Sequence, residues 1–139
     1  MSHCEIFSTT ADVGIRIRGH GYDGLYHSAL KGLNLLLFAE KAAGIRAKNA
    51  SLHKYEYQGD SAENILVNLL SEILFLLQCR GKITADMRIL EAAENFINVE
   101  LKLIEADMEA EVEIKSVTYH NLKVVAKKGG KYAEILFDI

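Results

Sequence analysis

Residues 60–81, DSAENILVNLLSEILFLLQCRG, decide how this chain is read. Leu66, Leu70, Ile73 and Leu77 recur at the three- and four-residue steps of one helix face. Ile65, Leu69, Leu74 and Leu76 carry the apolar surface around most of the circumference. Such a helix must be enclosed by a sheet, a neighbouring helix or a partner subunit, so a homo-oligomer stays open. Asp60 and Glu63 have capping-box spacing. Gly81 stands where a C-terminal cap belongs, after Arg80, whose charge suits that end of a helix. Asn68 and Glu72 interrupt the apolar run, which is shorter than the roughly 20 residues needed to cross hydrocarbon. With no signal peptide in MSHCEIFSTTADVG, the expected location is cytoplasmic, away from membranes.

Period-two patterns flank this helix. On the N-terminal side Val13, Ile15 and Ile17 alternate with Gly14, Arg16 and Arg18, a strand signal, and Glu5–Phe7 reads as a shorter one. Gly19-His20-Gly21 ends the strand and Asp23 can cap a helix over about 24–39, with Leu25, Ala29, Leu33 and Leu36 on its face and Leu30 and Leu37 widening it. Leu52 and Tyr55–Tyr57 suggest a strand closed by Gly59. Beyond Gly81 the chain reads as β: Ile83–Leu90, Phe96–Ile104, and an alternation of Ala110, Val112 and Ile114 continuing through Val117, Tyr119 and Leu122. Leu122–Ala126 and Tyr132–Phe137 are separated by a hairpin turn at Gly129-Gly130. No linker or repeat divides the sequence. The expectation is an α+β fold, one two-layer domain over residues 1–139, with a mostly antiparallel sheet covered by two principal helices.

Composition agrees with a packed domain. Half of the 139 residues (50%) are hydrophobic and 25% are charged, enough for a continuous core under an ordinary surface. The formal net charge of -3 disfavours broad, non-specific nucleic-acid binding but leaves room for a local basic patch. Cys4 and Cys79 have no zinc-ligand spacing and read as separate thiols.

The common catalytic signatures GxSxG, Walker and HExxH are absent. Gly19, Gly21 and Gly24 spell GxGxxG after a strand and before a helix. The flanking sequence lacks repeated parallel βαβ units and an acidic strand end at the expected distance, so a turn explains the glycines better. His3, His20, His27, His53 and His120 lie in separate elements, with His120 at a strand end the one to watch. Asp12 lies in a turn entering a strand, while Asp138 follows the apolar run Ile135-Leu136-Phe137 and precedes Ile139. Asp12, Asp138 and the terminal carboxylate of Ile139 would make a hard-cation site if the first and last strands met. Two unrelated surface aspartates are the plainer alternative on chemistry alone.

At these residues the sequence resembles the archease family. Thr10-Ala11-Asp12-Val13-Gly14-Ile15-Arg16 resembles its N-terminal motif, Lys115-Ser116-Val117-Thr118-Tyr119-His120 its late strand motif, and Leu136-Phe137-Asp138-Ile139 its ending. Leu66-Val67-Asn68 and Leu70-Ser71-Glu72 fit its central helix. The resemblance implies a protein cofactor, not an enzyme, that assists an RtcB-type RNA-splicing ligase in tRNA splicing and RNA ligation. Such a factor promotes ligase guanylylation and multiple turnover, and contact with RNA would be indirect, through the ligase. It further implies a divalent cation, calcium first with magnesium or manganese as alternatives, held by Asp12, Asp138 and Ile139. Glu72 and His120 are candidates to shape that surface. Two positions depart from the family pattern: Thr9 stands where His is usual, and Leu69 where Trp is common. The rival readings are a stand-alone metal-dependent phosphoesterase and a metal-independent, chaperone-like protein-binding module.

Overall fold

The strands divide between two sheets, with a helix against each. The computed structural model describes residues 2–9 and 12–139. Thr10 and Ala11 of the N-terminal motif lie outside the described residues. The chain runs β1 (Ser2–Ser8), β2 (Asp12–Gly19), α1 (Tyr22–Phe38), a 3₁₀ segment (Ala39–Gly44), β3 (Ser51–Gln58), α2 (Ala62–Arg80), β4 (Lys82–Ala92), β5 (Phe96–Glu105), β6 (Ser116–Val117), β7 (Val125–Lys127) and β8 (Gly130–Asp138). One sheet has the order β1-β2-β8-β6, with β7 also on β8, and the other has the order β3-β5-β4. All these pairings are antiparallel. The antiparallel framework and its two helices match the sequence reading, but the single sheet becomes two. Local hairpin pairing closes β4 with β5 and β1 with β2, whereas β2 takes its second partner, β8, from the far end of the chain.

The helices supply the contact between the sheets. α1 packs on β1 and β2 and reaches β4, while α2 packs on β3, β4, β5 and β6. One apolar cluster joins both helices and both sheets. Ile65, Leu66, Leu69 and Leu70 of α2 are fully buried; each stabilises the fold by about 1.5–3 kcal/mol relative to exposure. Their enclosure comes from this chain itself. By length and composition alone α2 could cross a membrane, but its apolar face is built into this core. Phe75 is the large apolar side chain that α2 leaves exposed.

Local chemistry explains several boundaries. Ser61, not Asp60, caps α2: its Oγ accepts from the Asn64 amide at 3.1 Å. Glu63 is drawn away from the expected capping box, because its carboxylate accepts from the Val124 amide at 2.6 Å. Gly81 ends the helix as expected, with φ +65° and its amide donating to the Leu77 carbonyl. α1 starts earlier than expected, after Gly21, without a side-chain cap. Asp23 instead sits in its first turn, where a negative charge suits the helix dipole.

The expected strand through Ala110–Ile114 is absent. There the Glu111 amide donates to the Leu37 carbonyl, and the Gln78 side chain donates to the Ile114 carbonyl. The alternation is real, because Ile114 is buried between exposed Glu113 and Lys115. However, the helices supply its backbone partners, so only β6 joins the sheet. The turn between β7 and β8 is Lys128-Gly129, both at positive φ, with Lys127 opposite Gly130. It therefore falls one residue before the expected Gly129-Gly130, and β7 starts at Val125 rather than Leu122.

Gly19 accounts for the first glycine of GxGxxG. A Cβ there would collide with the Gly24 backbone and the Leu25 amide nitrogen. The glycine lets β2 lie directly against the start of α1, which is a packing requirement rather than a phosphate cradle.

Candidate metal centre

Asp12 opens β2 and Asp138 ends β8, and the two face each other. The register runs from Asp12↔Asp138 to Gly19↔Lys131. Buried Ile15 and Ile17 of β2 and buried Ile135 and Phe137 of β8 enforce it. A slip of one residue would turn Arg16 into the core, so apolar burial fixes which residues meet at the strand ends. Side chains directly opposite in an antiparallel pair have Cβ atoms roughly 4.5–5.5 Å apart. The two ends of the sequence are thus brought to one edge of one sheet face.

Hydrogen bonds hold both residues. The Ser116 hydroxyl donates to Asp138 Oδ2 at 3.0 Å, and the Lys115 amide donates to the Asp138 carbonyl at 2.8 Å. On the other side the Thr9 amide donates to the Asp12 carbonyl at 2.9 Å. The Asp12 amide donates back to Thr9 Oγ1 at 3.2 Å. Thr9, the departure from the family pattern, therefore hydrogen-bonds the first residue of β2 through both its amide and its hydroxyl. Sequence reasoning gave Ser116 no role. The signal was its place in the Lys115–His120 stretch, since a strand pairing with β8 there puts Ser116 opposite Asp138.

Ile139 follows Asp138 off the strand end and is exposed. Among the described residues, no group of three or more His, Cys, Asp or Glu side chains converges. Further donors would have to come from main-chain oxygens, such as those of Ile139, or from solvent. The donors present are all oxygens at an exposed strand end, which fits a hard cation of flexible coordination, such as calcium, better than a soft one. Without a cation, like charges directly opposite in a sheet are destabilising.

Glu72 and His120 do not complete this centre. The Glu72 carboxylate is 2.8 Å from His53 Nε2, joining α2 to β3. Burial, together with the nearby Glu72 charge, pushes the Tyr55 hydroxyl up to about 12. The exposed His120 follows β6, and its amide donates to Thr118 Oγ1 at 3.3 Å. His27 pairs with Asp86 at 3.2 Å, tying α1 to β4. Burial raises the Asp86 pKa, but the Met87 amide, His27 and Lys102 outweigh it, so the carboxyl lies below its ordinary value. Cys4 and Cys79 are free thiols.

Comparison with known proteins gives one answer. Residues 4–139 match the family model described as the archease protein family. A protein archease of Pyrococcus abyssi is 25% identical over 146 residues, covering 100% of both chains. One of Thermoplasma acidophilum is 29% identical over 140 residues, covering 97% of this chain and 92% of its own. In structure, the chain is similar to a Methanobacterium thermoautotrophicum protein solved in solution, with a TM-score of 0.72 at 19% identity and 98% of each chain covered. It is also similar to a crystal structure from Thermotoga maritima described as an archease and possible chaperone, with a TM-score of 0.65 at 22% identity, covering 97% of this chain and 96% of the other.

Proposed function

This chain belongs to the archease family, and from that premise we propose that it activates an RtcB-type RNA-splicing ligase through a divalent cation held by Asp12, Asp138 and Ile139. Its role is accessory: it serves an RNA ligase in tRNA splicing and is not itself the enzyme. The phosphoesterase alternative falls with that assignment.

The observation that carries the metal reading is the direct opposition of Asp12 and Asp138 across β2 and β8. Two carboxylates at matched strand ends repel one another, and a shared divalent cation reverses the sign of that interaction. When bound, the cation would supply concentrated positive charge at an otherwise acidic edge. Ser116 orients the Asp138 carboxylate through Oδ2, and Thr9 holds the Asp12 main chain. On this reading, the loaded edge docks against the ligase and promotes guanylylation and repeated turnover.

The test is multiple-turnover RNA ligation by a partner ligase with wild-type protein, Asp12→Ala and Asp138→Ala, each with and without chelator. The expected result is loss of stimulation by both variants and by chelated wild type. Equal stimulation by all folded forms would refute the metal mechanism while leaving the accessory role intact.

A further inference from the structure

Arg18, Lys123, Lys127 and Lys128 gather around Tyr132 on the solvent face of the first sheet, and we propose that this face binds single-stranded RNA directly, through phosphate contacts and base stacking. The proposal extends the accessory reading above and rests on it for the choice of RNA.

Sheet register builds the face. His3, Arg18, Tyr132 and Val125 are successive cross-strand partners on β1, β2, β8 and β7, so they share one side of the sheet. The neighbouring row is Glu5, Arg16 and Glu134. There the charges are committed: Arg16 meets Glu134 at 2.6 Å and Glu5 at 3.2 Å. Among the described residues, Arg18, Lys123, Lys127 and Lys128 form no salt bridge. Four uncommitted cations thus lie together on a chain whose net charge is -3. Overall composition does not produce such a cluster; the β7–β8 hairpin does, by returning its lysines along β8, one strand away from β2.

Tyr132 is the common wall of three adjoining grooves of about 320, 120 and 310 Å³. Lys123 and Lys127 line the first alongside the paired Arg16 and Glu134; Arg18, His20 and Lys128 line the second; and Arg18 lines the third beside the paired Glu5 and Arg16. Lys127 Nζ lies 6.0 Å from the Tyr132 ring centroid. An aromatic ring among cations on an antiparallel sheet is the arrangement that holds single strands, because bases stack on the ring while phosphates track the charge. An acidic protein segment would use the charges but has little use for the ring. Asp12 points to the same side as Arg18, roughly 20 Å away at 3.3 Å per residue. Its negative charge would keep a polyanion at the basic end.

The experiment is fluorescence anisotropy of the full chain with a labelled oligouridylate of roughly ten nucleotides, with chelator present and ligase absent. Four phosphate contacts at about -0.7 each in the log–log salt slope predict an affinity loss of about fiftyfold between about 50 and 200 mM salt. Lys127→Gln with Lys128→Gln, at an exposed hairpin where folding is not at issue, should roughly halve that slope. Tyr132→Leu should weaken binding at least about fivefold. Lys48→Gln with Lys54→Gln, away from this face, should leave binding unchanged. No binding at the lowest salt would overturn the proposal. Full displacement by poly-glutamate with no effect of Tyr132→Leu would overturn it in favour of an acidic protein partner. Since the assay contains neither ligase nor free divalent ion, its failure does not touch the metal mechanism, and the ligation assay above does not touch this one.

Discussion

Replacing Asp138 by Asn tests the paired carboxylates through stability alone. Asn keeps the side-chain shape and an oxygen to accept from Ser116, so the change is one of charge. Asp12 and Asp138 are register partners. At about 5 Å in a solvent-exposed site, two unit charges repel by roughly 1 kcal/mol. In chelator, therefore, Asp138→Asn should be more stable than wild type by about 1 kcal/mol, or about 4 °C in Tm for a domain of this size. Calcium should reverse the order. At about one hundred times its Kd, binding to the native state alone adds about 2.7 kcal/mol to wild type, roughly 10 °C. The variant, lacking half of the paired charge, should gain much less. Asp12→Asn should behave the same way, and the double variant should show no response to calcium. Thermal unfolding by circular dichroism, with and without calcium, measures all four proteins. If calcium leaves wild type unchanged, or raises wild type and both single variants equally, the two carboxylates share no cation.

Other substitutions probe the frame that positions this centre. Gly19→Ala should cost about 1–3 kcal/mol in urea unfolding, because the added methyl meets α1 backbone rather than a movable side chain. Ser61→Ala should cost about 1 kcal/mol by loss of the α2 cap, while Asp60→Ala should cost little. Asp86 has a pKa below its ordinary value, so its native form binds fewer protons than the unfolded chain in acid. Its contribution to stability is full above the unfolded carboxyl pKa and is lost as pH falls through the lower folded one. A stability gap between wild type and Asp86→Asn should accordingly be present at neutral pH and close in strong acid; urea titrations across that range would show it. A gap independent of pH would mean that Asp86 acts through packing rather than charge.

How much of this could be read from the sequence varies with the range of the contact. α2 was legible because its pattern and its Gly81 stop signal are local. The β2 alternation was legible for the same reason. Local patterning failed where competing partners were remote. Val124 took the Glu63 carboxylate, and α1 and α2 took the backbone of the 111–114 stretch away from any strand. Asp12 and Asp138 were individually visible as candidates, but Ser116 was not. Its role depends on a two-residue strand that has no periodicity of its own.

The sequence by itself determined the elements, the apolar faces and, through distributed motifs, the family. Apolar periodicity and turn chemistry act over a few residues, so a linear reading captures them. The tertiary structure decided what those elements bring together. Burial of Ile15, Ile17, Ile135 and Phe137 sets the β2–β8 register. That one register puts Asp12 against Asp138 at one end of a sheet face and Arg18 beside Tyr132 towards the other. No local rule couples residues at opposite ends of the chain. The coupling comes from core packing, which penalises a one-residue slip of the strand by burying charge.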